Sequence, residues 1–134
     1  MLPFSIEMKP GLPVAEQILF AVKKAVVCGQ LSPGDTFPSV RSLSQELRIN
    51  PNTAHRVIAA LVAQGVIVTT PAIGSVVAER SPGTGRERAE LLGSDLERLV
   101  VEAKKMGLTI DEVQAGLAGQ WRKLTKNNAG HTSK

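Results

Sequence analysis

The chain has one cysteine, no tyrosine and only four aromatic residues in 134: Phe4, Phe20, Phe37 and Trp121. A single thiol makes no internal disulfide, and Cys28, at the end of an amphipathic segment, reads as a buried free thiol rather than a redox switch. So few aromatics cannot build the stacking platforms that hold single-stranded nucleic acid. Histidine is as scarce: His55 and His131 stand far apart, and no carboxylate pair is spaced beside them, so no metal site is expected. Also missing are a nucleophile beside a base and a phosphate-cradling glycine loop, so neither an enzyme nor a cofactor is expected. No apolar run approaches the roughly 18 residues needed to cross a bilayer. The first residues lack a basic segment followed by an apolar stretch and a small-residue cleavage site, and the expectation is a cytoplasmic protein with no membrane partner.

What remains is an ordinary folded composition, 43% hydrophobic, with a formal charge of +4. That excess of cations is mild, and a basic surface of this size does not by itself identify a nucleic-acid partner. The order of the residues has to do so.

After an extended start, Pro13 stands where helices take a first-turn proline. Val14, Ile18, Ala21, Val22 and Ala25 then recur at helical spacing, predicting a helix over roughly 13 to 28 that Gly29 ends. Ser32-Pro33-Gly34-Asp35 is turn chemistry. Ser39 is placed to cap a second helix with Val40, Leu43 and Leu47 inward, and Asn50 with Pro51 to start a third whose inward face is Ala54, Val57, Ile58, Leu61 and Val62. Two capped helices joined by a very short turn are the outline of a helix-turn-helix. Asn52, Thr53, His55 and Arg56 stay off the core face, polar groups of the kind that bond to base edges and phosphates in a major groove.

Residues 66–78 read as two short β-branched strands around a turn, a wing after the recognition helix. Residues 80–85 have linker composition. A helix over about 86–106 carries Ala89, Leu92, Leu96, Leu99, Val100 and Ala103. A second opens on the capping pattern Thr109-Ile110-Asp111-Glu112 and carries Val113, Leu117, Trp121 and Leu124. The polar residues 126–134 are expected to be a disordered tail. The fold class is therefore mainly α with a small β-hairpin: a winged helix-turn-helix domain over 1–79 and a two-helix dimerisation hairpin over 86–125. A hairpin of this size cannot bury both apolar faces alone, and a second copy is its simplest cover; the other arrangement folds it back on the first domain.

Taken together, Pro13 with Glu16-Gln17-Ile18, Gly29-Gln30-Leu31-Ser32-Pro33-Gly34-Asp35, Phe37-Pro38-Ser39-Val40-Arg41, Asn50-Pro51-Asn52-Thr53 and Gln64-Gly65-Val66-Ile67 leading to Gly74-Ser75 resemble the GntR superfamily of bacterial transcription regulators. The short two-helix tail is similar to its YtrA-like subfamily. The resemblance implies a homodimeric repressor on a palindromic double-stranded DNA operator, acting on a neighbouring ABC-transporter-type operon and on its own gene. It implies that Arg41 reaches DNA from the start of the second helix and that Asn52 and Thr53 meet bases or phosphates. His55 stands where many members have arginine. The expected DNA-binding set is Ser39, Arg41, Arg48, Asn50, Asn52, Thr53, His55, Arg56 and Ser75, with Arg48 and Arg56 on phosphates and Asn50 first a helix cap.

Two departures stand out. Arg48 occupies a turn position where the family usually has glycine, and a left-handed backbone there costs about 1 kcal/mol or more. In the wing, Pro71, Ala72 and Ile73 replace a stretch that is often rich in arginine and glycine, which argues against strong insertion into the minor groove. Two alternatives share the fold. One is a ligand-sensing regulator with a small-molecule effector at the dimer arm, separable by thermal stability with candidate metabolites. The other is a winged-helix interaction module that binds no DNA.

Overall fold

Ile18, Ala21, Val22 and Ala25 are buried along one side of α1 (Val14–Val27), so the expected periodicity is what folds this segment against its neighbours. The computed structural model describes the backbone of residues 2–132 and the side chains of residues 2–125. Pro13 is the N-cap of α1 rather than its first residue, and Val14 is exposed rather than inward. Gly29, with φ 85°, lets the chain leave the helix while Gln30 and Leu31 both donate to the Ala25 carbonyl. Cys28 is only half-buried, because it sits on this C-terminal turn and not under the core face.

Next come α2 (Val40–Leu47) and α3 (Pro51–Ala63), then β1 (Ile67–Thr70) and β2 (Gly74–Val77). The strands pair antiparallel in the register Ile67 with Val77 and Thr70 with Gly74, which turns Ile67 and Val77 into the core. Leu43, Ala54, Val57 and Leu61 meet them there. Burying each such aliphatic side chain contributes about 1.5–3 kcal/mol. Ile58 is half-buried at the edge of this core, and Val62 is exposed rather than inward because it lies too far round α3.

Two long-range features complete this unit. Phe4, in the extended start, is buried and stacks on Phe37 with ring centroids 5.9 Å apart and planes 1° from parallel. The segment before α2 lies along β2: Phe37 donates to the Ser75 carbonyl and Val77 to that of Asp35, each at 2.8 Å. The wing is thereby tied to the entrance of α2.

The chain divides into two compact units, with a boundary between Arg80 and Ser81. In the second unit, α4 (Gly85–Glu90) starts inside the expected linker because Thr84 and Glu87 form a reciprocal capping box. A π turn, Leu91–Asp95, leads into α5 (Leu96–Lys105). Its i→i+5 bonding sets Leu91 over Leu96, the place a regular helix would have given to Leu92. After the turn at Gly107, α6 (Ile110–Thr132) opens on the expected box, with Glu112 donating to Thr109 Oγ1 at 3.1 Å and the Thr109 amide to Glu112 at 2.8 Å. The helical backbone of α6 continues to Thr132, through most of the segment expected to be a disordered tail. Side chains from residue 126, His131 among them, and residues 133–134 lie outside the described residues.

Candidate nucleic-acid interface

Ser39 holds an extended backbone and its Oγ accepts from the Ser42 amide at 3.1 Å, which fixes where α2 begins. Arg41, two residues on, stands in the first turn of that helix and is exposed. At the other end Arg48 caps α2 with φ 55° and ψ 50°, so the turn keeps the left-handed backbone that glycine would take freely. Two residues later Asn50 Oδ1 accepts from the Asn52 amide at 2.7 Å, with Pro51 as the first helical residue of α3. Both expected caps are therefore in place, and the oxygens of Ser39 and Asn50 serve helix starts.

On α3 the buried residues Ala54, Val57 and Leu61 define the inward side. Asn52, His55 and Arg56 are exposed on the other side, and Thr53 is half-buried on its flank. Two residues that share this outer side were not expected: Ala59 and Ala63, also exposed, one and two turns beyond His55. Their methyl groups let a groove wall approach closely and can meet a thymine methyl. The spacing from His55 was the only sequence signal for them, since alanine has no polar group to attract notice.

The cations of α2, the turn and α3 are bare. Among the described residues no hydrogen bond or ion pair engages the side chains of Arg41, Arg48 or Arg56. Exposed guanidinium groups with no internal partner are free to meet phosphates or the O6 and N7 of guanine.

Ser75 belongs to β2 and not to the two helices. It lies half-buried on β2, its Oγ 3.3 Å from Thr69 Oγ1 and its carbonyl held by Phe37. The wing tip, Pro71-Ala72-Ile73, is exposed and carries no cation. Arg80, which sequence reasoning passed over, donates to the Val26 and Val27 carbonyls at 3.4 and 3.2 Å and so closes the last turn of α1.

An open groove of about 440 Å³ lies between the extended start and α1, with Ile6, Leu12, Phe20 and Lys24 among its lining residues. Among the described residues there is no group of three or more potential metal ligands, and no helix is long and apolar enough to cross a membrane. In the second unit Ala103 is buried and Val113 half-buried, whereas Leu92, Leu96, Leu99, Val100, Leu117 and Trp121 are all exposed.

The family model for bacterial regulatory proteins of the gntR family matches residues 14–77. Among curated proteins, the chain is 30% identical over 106 residues to YhcF of Bacillus subtilis (strain 168), an uncharacterized HTH-type transcriptional regulator, covering 79% of this chain and 84% of the relative. It is 28% identical over 109 residues to the HTH-type transcriptional repressor YtrA of the same organism, covering 81% and 84%. Among solved structures, a transcriptional antiterminator from Listeria monocytogenes EGD-e superposes with a TM-score of 0.80 at 27% identity, over 90% of this chain and 91% of that one.

Proposed function

The chain belongs to the GntR family of bacterial regulatory proteins, in its YtrA-like branch, and is a DNA-binding transcriptional regulator and not an enzyme; we propose that it works as a cytoplasmic homodimeric repressor. Each subunit lays α3 in a major groove, with Asn52, Thr53 and His55 toward base edges. Arg41 approaches from α2, and Arg48 and Arg56 grip phosphates. Ser39 and Asn50 act mainly by fixing the two helix starts, and Ser75 adds a wing hydroxyl. The observation that carries this is the outer side of α3, polar and cationic in its first turns, small in its last, and opposite a fully buried apolar side.

The dimer is proposed through the hairpin over 86–125, from Leu92, Leu96, Leu99, Val100 and Ala103 on one helix and Val113, Leu117 and Trp121 on the other. The 80–85 segment would join this arm to the DNA-binding domain over 1–79. Repression follows the likeness to a relative that is a repressor. By analogy with the subfamily the targets are a neighbouring ABC-transporter-type operon and the regulator's own gene.

Equilibrium binding tests the proposal. The duplex upstream of the regulator's own coding sequence should bind about 10³-fold or more tightly than an unrelated duplex of equal length, both at physiological salt. Equal affinity for the two would remove sequence-specific regulation, and binding to neither would leave a winged-helix interaction module.

A further inference from the structure

Arg48 is the one non-glycine residue with a left-handed φ among the described residues. The conformation crowds its Cβ against the following carbonyl, a strain that glycine does not have. Nothing within the chain offsets it through the side chain, because the exposed guanidinium has no partner among the described residues.

The surrounding bonds hold the strained backbone in place. The Ser44 carbonyl accepts from the amides of both Arg48 and Ile49, and Ser44 Oγ donates to the Arg41 carbonyl at 3.0 Å. Ser44 is 7% exposed, the one buried polar residue of the described chain, so a single buried serine joins the backbone of the two arginines that bracket α2. The turn then passes directly to Asn50 and the start of α3.

We propose that Arg48 is a strained phosphate anchor: the turn keeps arginine in a conformation suited to glycine because its guanidinium binds the DNA backbone, so stability is given up for affinity. This rests on the helix-turn-helix reading of α2 and α3. The competing duty is purely structural, a cation at the C-terminal end of α2 interacting with the helix dipole. Relief of the strain is expected under either duty, and the salt slope separates them: only the phosphate contact predicts a flatter slope for Arg48→Gly.

The experiment compares the parent chain with Arg48→Gly, Arg48→Lys and Arg56→Ala, by thermal unfolding and by binding to a 30-base-pair duplex of arbitrary sequence across a salt series. Arg48→Gly should raise the unfolding midpoint by about 4 °C or more. It should also weaken binding about 5–10-fold near 0.1 M salt and flatten the slope of log K against log[salt] by about 0.9. Arg48→Lys should keep the parent's midpoint and most of its slope, since lysine supplies the charge at the same backbone cost. A lower midpoint for Arg48→Gly overturns the strain, and an unchanged slope overturns the phosphate contact. If Arg56→Ala weakens binding while Arg48→Gly does not, the helix-turn-helix reading stands and this inference alone falls. If the parent itself shows no salt-dependent binding, both fall.

Discussion

Glutamate at both Leu96 and Leu99 is expected to convert the proposed dimer to monomers in sedimentation and to lower operator affinity by about 10²–10⁴-fold. Leu96 and Leu99 are 37% and 47% exposed on α5, while Leu117 and Trp121 are 54% and 72% exposed on α6. So much apolar surface on one short hairpin is a cost that the proposed second copy would remove, each large side chain contributing about 1.5–3 kcal/mol when covered. Two carboxylates placed there would have to be buried without partners, at several kcal/mol each, and association would fail. The operator effect follows from geometry. A linked second subunit meets its half-site at an effective concentration in the millimolar range, and that gain of about 10²–10⁴ disappears when the subunits separate. Since both leucines stay exposed within the single chain, the winged-helix unit should unfold at the parent's temperature. An unaltered sedimenting mass would move the interface elsewhere.

Arg41→Ala is expected to weaken operator binding by about 1–3 kcal/mol, roughly 5–150-fold, and to relax discrimination between operator and altered sequences. The side chain has no partner among the described residues, so its loss should leave folding stability within about 0.5 kcal/mol of the parent. Arg56→Ala is the contrast. From the second turn of α3 it should weaken all duplexes alike and lower the salt slope by about 1, the behaviour of a residue that positions without specifying. If Arg41→Ala bound the operator as the parent does, the assignment of this arginine to sequence reading would be wrong.

The positions of these residues on their helices could be read from the sequence because the signals that place them are local. Ser39 and Asn50 cap their helices as their residue types and spacing require, and the inward run Ala54, Val57 and Leu61 fixes which side of α3 is left for Asn52, His55 and Arg56. Arg48 was legible as a conflict, and the backbone resolved it by accepting the strain.

What escaped is mostly non-local. The Phe4–Phe37 stack joins residues 33 positions apart, and the pairing of residues 35–37 with β2 depends on where the hairpin lies, so no window of neighbouring residues carries either. Thr84 was missed for a different reason: its Pro- and Gly-rich surroundings read as linker although Thr84 and Glu87 have capping-box spacing. The π turn was hidden because Leu92, Leu96 and Leu99 already satisfy a regular helix, and only the bonding shows Leu91 above Leu96. Val14 and Val62 fit the inward stripes by spacing but lie at their margins, where a small domain runs out of surface to cover them.

Hydroxyl-radical footprinting of the full-length regulator on the duplex upstream of its own coding sequence tests the central claim most directly. Two protected half-sites of inverted sequence should appear on one face of the duplex, with centres about 34–36 Å apart or a multiple of that distance. Arg41→Ala should erase both together at a concentration where the parent protects them. A single protected half-site, or protection with no helical periodicity, would contradict a dimer that reads an inverted repeat through α3.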